Sequence, residues 1–310
     1  MAARGALERC LPRHGQRRLC RLAGHWLWRD GSRTSPRLCC RDDGHGHYSG
    51  DSPEWDLAAL TCRGSDTGQC LTAGEVQTAR AFYSGPLNRT GHPTYYGWLP
   101  GSEIPGIFGW WFLQSPPHDE PAFGGLFKWA FGAGWDWRQF DFDRDMPRVD
   151  SKLAAVLNGA TRADMSRFRT RGGRLIVFQG WADTLIAPRQ TINFFNRINS
   201  GATTQPFARL YMVPGVMHCG GGVGPTSFEA GLFTALTHWV ENGVVPEQVT
   251  ATRYVDDTPA KGIALQRPLC PYPQKAWYKG TGDTHAATSF TCSVHAPASV
   301  SSSAPSADQS

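Results

Sequence analysis

A chain of 310 residues with 40% hydrophobic and 18% charged residues is large enough for one sizeable globular domain or two modest ones. It contains no run of 18 apolar residues, which excludes a membrane-spanning helix, and no membrane partner is expected. The formal charge of +5 belongs to the head of the chain: residues 1–50 carry ten Arg, no Lys and four acidic residues, the remaining 260 sum to −1, and no nucleic-acid partner is expected.

In chain order, residues 1–50 show neither helical nor strand periodicity. They lack the continuous apolar stretch of a secretory signal. Cys10, Cys20, Cys39 and Cys40 follow the pattern C-x9-C-x18-C-C, which matches no zinc-ligand spacing. The segment reads as an irregular basic leader, disordered or artefactual. A basic nucleic-acid arm is the alternative, disfavoured by the clustered Cys and Trp and the missing Lys.

Residues 51–169 are rich in Gly, Pro and Trp and are read as a lid-type subdomain. Thr72-Ala73-Gly74-Glu75 has the capping-box pattern and stands ahead of Val76, Ala79, Phe82 and Tyr83 at helical spacing, which predicts a helix. A second helix is expected over 151–157. Between them, residues 97–142 interleave Trp98, Trp110, Trp111, Trp129, Trp135 and Trp137 with glycines, a pattern that argues against a regular core element. The stretch reads as a lid offering aromatic faces to a ligand, with Trp110, Trp111, Phe127 and Trp129 as candidate substrate-binding residues. Buried packing in an irregular subdomain is the alternative.

Residues 170–292 change rhythm. The apolar run 174–178 after Gly172-Gly173 predicts a buried parallel strand, 186–198 a helix with Pro188 in its first turn, 210–213 a second strand and 228–240 a second helix. Strand, helix, strand, helix describes an α/β unit. The Ser/Ala/Pro-rich tail 293–310 is expected to be disordered.

Functional groups in an open α/β sheet collect on loops beyond the carboxyl ends of strands. Two such loops carry chemistry: residues 179–188 (QGWADTLIAP), after the strand ending at Phe178, and residues 214–222 (PGVMHCGGG), after the strand ending at Val213. An Asp and then a His on consecutive strand-end loops match the acid and base of a nucleophile–His–Asp triad, in the chain order of α/β-hydrolases. The plainer readings are an Asp that caps the next helix and a His that sits in a Gly-rich turn.

The segments 62–71 (CRGSDTGQCL), 140–145 (FDFDRD), 171–188 (RGGRLIVFQGWADTLIAP), 213–222 (VPGVMHCGGG), 239–243 (WVENG) and 267–273 (RPLCPYP) together resemble the tannase/feruloyl esterase family of α/β-hydrolases. The resemblance implies an α/β-hydrolase fold with an inserted loop-rich lid, catalytic roles for Asp183 and His218, and small-molecule esters of aromatic acids as substrates. It also implies a Ser-His-Asp acyl-enzyme mechanism that needs no cofactor, a structural calcium in relatives, and a secreted or periplasmic location.

The departures are specific. The family's G-C-S-x-G-G nucleophile element, its oxyanion Gly-rich element and its Asp-rich calcium loop have no counterpart here, so the fold is expected to be incomplete in its early strands and no metal is expected. Gln179 stands where many relatives have His. Cys62 and Cys70 flank a seven-residue turn and can pair, and Cys270 and Cys292 bracket the C-terminal segment and can pair as well. That leaves Cys219 without a partner; its counterpart in the family bridges to the Cys before the nucleophile. A buried thiol is the alternative reading of Cys219. The resulting expectation is a carboxylic ester hydrolase whose Ser is not identifiable in this chain. The alternatives are an inactive truncated relative and a non-catalytic aromatic-ligand binding protein.

Overall fold

The computed structural model describes residues 57–64, 70–99, 102, 124–157, 163–200 and 206–295. They form two compact units. One holds the described residues up to Asp164 together with Ala182–Phe194, and the other holds Met165–Trp181 and the described residues from Phe195 onward. The expected leader, the expected tail beyond residue 295, and Trp110 and Trp111 lie outside the described residues.

In the first unit, a 3-10 turn at Leu57–Leu60 leads into the Cys62–Cys70 disulfide, which closes beside reciprocal backbone bonds from Cys62 N to Leu71 O and from Leu71 N to Leu60 O, both 2.8 Å. Helix α1, Ala73–Ser84, begins as the sequence predicts. The Thr72 hydroxyl accepts from Glu75 N at 3.3 Å, and the Glu75 carboxylate accepts from Thr72 N at 2.8 Å, a closed capping box. Its Val76 and Ala79 are buried with Leu71, and Leu60 and Tyr83 pack around them.

Helix α2, Gly124–Phe131, is a regular element inside the stretch 97–142, where the glycine-interleaved pattern argued against one. Its aromatic residues have a packing partner. Phe127, Phe131, Trp135, Phe140 and Phe142 contact one another edge-on or stacked at centroid distances from 5.1 to 6.5 Å.

Helix α3 spans Phe142–Leu157, nine residues earlier at its start than the expected 151–157. The sequence hid that start because Pro147 lies in the second turn, where Pro still fits poorly. The side chain of Asp145 compensates by organising the turn. It is fully buried, accepts from Asp141 N at 3.0 Å, and is gripped by Arg144 at 2.6 Å and Arg148 at 2.9 Å. The Arg144 hydrogen bonds hold the Asp145 carboxyl well below the usual carboxylate range.

The second unit opens with the short helix α4, Ser166–Thr170, and then strand β1, Leu175–Gly180. Strand β2, Ala208–Val213, pairs with β1 in parallel, from Leu175 opposite Ala208 to Gly180 opposite Val213. Helix α5, Pro188–Asn199, follows β1 in the chain, its residues up to Phe194 lying in the first unit, and helix α6, Glu229–Asn242, follows β2, so the order strand, helix, strand, helix expected from the sequence is present with shifts of one or two residues at the boundaries.

The sequence reading did not anticipate the antiparallel pairs that follow: β3, Val249–Tyr254, with β4, Ile263–Leu269, and β5, Lys275–Tyr278, with β6, Phe290–Ser293. The Cys270–Cys292 disulfide closes the C-terminal segment. The core of the unit joins both sheet systems: Tyr211, Val213, Val216, Phe228, Leu232, Val249, Ala251 and Leu269 are buried together.

Candidate active site

The acid loop begins where β1 ends. A side chain at Gly180 would meet the Val216 carbonyl oxygen at 2.1 Å, so the absence of a Cβ lets the backbone of the following β2 loop lie directly on the strand end. The Trp181 amide continues the ladder by donating to Val213 O at 2.9 Å. Trp181, Ala182, Asp183 and Thr184 are then all buried.

Asp183 is 4% exposed, and its Oδ1 accepts from the amides of Leu185 at 2.8 Å and Ile186 at 2.9 Å. These bonds fix the carboxylate rotamer and turn the chain toward Pro188, whose preset φ suits the first turn of α5. The plain reading is a cap on the next helix; the bonded amides instead belong to the loop ahead of Pro188, so the carboxylate closes an Asx-type turn. This turn occupies one carboxylate oxygen with amide donors and is compatible with a second role for the group.

The His loop is a tight hairpin on β2. Val216 bridges to Gly222, Val223 N and Gly224 N both donate to Gly215 O at 3.0 and 3.1 Å, and His218 sits half-buried at the turn. Cys219 adopts φ 56°, and Gly222 adopts φ 89° with its Cα so close to Gly215 that a Cβ would meet the Gly215 carbonyl oxygen at 2.2 Å. The run of glycines after His218 is thus a backbone requirement.

Arg253 of β3 fastens the closing leg, donating from Nη1 to Gly222 O at 2.7 Å and to Gly224 O at 3.2 Å. The sequence reading passed over Arg253. The signal that could have placed it is the alternation of Val249-Thr250-Ala251-Thr252-Arg253, a half-buried strand pattern.

The remaining candidates fall as follows. Cys219 is exposed and carries a free thiol, so the buried-thiol reading is corrected: the left-handed turn points the residue away from the core. Gln179 is buried and its Nε2 donates to Gly180 O at 3.5 Å. Phe127 is half-buried in the aromatic cluster against Trp135 and Phe140, whereas Trp129 on α2 is 63% exposed. Among the described residues no group of three or more His, Cys, Asp or Glu is gathered as a metal cluster, and no helix is long and apolar enough to cross a membrane.

Asp183 and His218 belong to different units. What they share is topological: Gly180 and Val213 are register partners at the carboxyl ends of parallel strands, so the loops carrying Asp183, three residues on, and His218, five residues on, both start at that end of the sheet.

Residues 50–293 match the family model described as tannase and feruloyl esterase. An uncharacterized esterase of Xanthomonas campestris pv. campestris is 33% identical over 307 residues, covering 85% of this chain and 51% of that protein. The mono(2-hydroxyethyl) terephthalate hydrolase of Piscinibacter sakaiensis is 31% identical over 270 residues, covering 76% of this chain and 44% of that protein. Among solved structures, an esterase from Aspergillus oryzae superposes with a TM-score of 0.68 at 23% identity, over 80% of this chain and 52% of that one. The chain spans about half the length of the curated relatives it matches.

Proposed function

The chain belongs to the tannase and feruloyl esterase family, with the α/β-hydrolase fold, and we propose that it supplies the acid and the base of a serine ester hydrolase acting on esters of aromatic acids. The observation that carries the proposal is the pairing of two in-register parallel strands whose following loops bear Asp183 and His218 in the triad order. In this mechanism His218 takes the proton of a serine hydroxyl as it attacks the ester carbonyl and returns it to the leaving alcohol. Asp183, its rotamer already fixed by Leu185 and Ile186 amides, orients the imidazole and stabilises the imidazolium. Water then hydrolyses the acyl-enzyme by the same base. The chemistry uses no cofactor. The nucleophilic serine is not assigned to a residue of this chain, which spans 51% of the Xanthomonas relative.

The substrate reading rests on the relatives' printed names and on the aromatic-rich unit, in which Trp129 offers an exposed ring. Two closed disulfides support an oxidising compartment, extracellular or periplasmic. The test is an assay on methyl ferulate with two proteins: the chain itself, and a chimera joining it to the half of the Xanthomonas relative it does not match. The chain alone is expected to show background rates and the chimera turnover that His218→Ala lowers by about a thousandfold or more. Turnover by the chimera that survives His218→Ala would overturn the assignment.

A further inference from the structure

Two adjacent phenols stand beside the acid loop within the first unit, and the mechanism above does not use them. Tyr95 and Tyr96 lie on a strap that is fixed just beyond them: Trp98 N donates to Phe82 O at 3.0 Å, and the Trp98 indole stacks on the Phe82 ring with centroids 5.1 Å apart. The strap reaches helix α5 through both hydroxyls. Tyr95 donates its proton to Gln190 Oε1, while the Tyr96 oxygen accepts from Asn193 Nδ2 at 2.6 Å. Gln190 and Asn193 are three residues apart and share one face of the helix that starts five residues after Asp183. The two rings meet edge to face with their centroids 5.2 Å apart.

The two bonds leave opposite capacities. Tyr95 has committed its proton inward and keeps acceptor lone pairs, while Tyr96 has committed a lone pair and keeps its proton to donate. Tyr95 is 42% exposed, so this chemistry is open to a ligand. Asp183 is near enough for its charge to act on the Tyr95 phenol, which, after burial, adds to holding that phenol in its neutral form. The same charge disfavours an anionic ring substituent at this place.

We propose that Tyr95 and Tyr96 form a specificity-determining site for an aromatic ring bearing a hydroxyl beside a second oxygen substituent. The ring hydroxyl donates to Tyr95 Oη, and the neighbouring ring oxygen accepts from the Tyr96 hydroxyl. The assignment rests on the ester hydrolase reading and adds the ring pattern that the site selects.

Calorimetric titration of the 310-residue chain with methyl ferulate and with methyl 3,4-dimethoxycinnamate tests it, because in the second ligand a methyl group replaces the donating proton of the ring hydroxyl. Methyl ferulate is expected to bind about fivefold tighter, the usual weight of one hydrogen bond. Tyr95→Phe erases the difference to within about twofold, and Tyr96→Phe weakens both ligands. The comparison in the unsubstituted chain needs no variant to fold. Equal affinities there, a preference that survives Tyr95→Phe, or no binding of either ester overturns the site. Hydrolysis of methyl ferulate by the chimera alongside any of those results leaves the ester hydrolase reading standing and removes only the tyrosine pair.

Discussion

Asp145 shows how much of the first unit depends on one carboxylate. It is fully buried, and its charge is balanced by Arg144 and Arg148, each about half exposed, with the Asp141 amide as a third donor. Its pKa is held well below the ordinary 3.8, first by the Arg144 hydrogen bond. A depressed carboxylate adds stability that is complete above the unfolded pKa and is lost as pH falls below about 4 toward the folded value. Asp145→Asn is therefore expected to lower the thermal midpoint at pH 7 by several degrees, for a loss of about 2 kcal/mol, with the gap to the unsubstituted chain closing as pH falls toward 3. Thermal unfolding followed at both pH values checks this; a gap that is constant with pH would assign the effect to packing.

At the scale of the elements, the sequence was most legible where local chemistry decides the outcome. The Thr72–Glu75 capping box announces α1, and the structure closes both of its bonds. Thr72→Ala is expected to cost about 1 kcal/mol, read as a lowered midpoint in urea with an unchanged slope. The apolar run that becomes β1 and the Cys spacings that become two disulfides were equally visible.

Elements decided by distant partners were hidden. The start of α3 depends on Asp145 being gripped from both sides, which overrides Pro147. Strand β4 contains Pro268, which hides a strand from sequence patterning, and it forms by pairing with β3. Helix α2 opens on two glycines and owes its place to rings from Trp135 and Phe140. In the candidate site, Asp183 and His218 stood out because strand-end loops were predictable. Arg253 and the Tyr95–Tyr96 pair did not, since their partners lie 29 to 97 residues away.

At the scale of the whole molecule, the sheet whose following loops carry Asp183 and His218 has two strands among the described residues. The β2 edge meets Pro271, with Tyr272 N donating to Leu210 O at 2.8 Å, but among the described residues no strand pairs with the other edge of β1. Phe178 on that strand is 46% exposed although it packs edge-on against Phe228. An unpaired apolar edge favours association. The chain is expected to elute from size exclusion as oligomers that grow with concentration, and Phe178→Asp to reduce them. A monodisperse monomer at high concentration would contradict that expectation.

Asp183 is either a turn-closing residue alone or also the acid of a triad, and substituting the charge while keeping the shape separates the two. Asparagine at position 183 retains an oxygen for the Leu185 and Ile186 amides, so the turn-closing role is largely preserved. The deciding measurement is kcat of the chimera on methyl ferulate before and after Asp183→Asn, with thermal unfolding of both proteins alongside. The triad assignment predicts a fall of about 10³ to 10⁴ in kcat with a thermal midpoint that hardly moves. A kcat retained within about tenfold would leave Asp183 as a turn-closing residue and contradict its role as the catalytic acid.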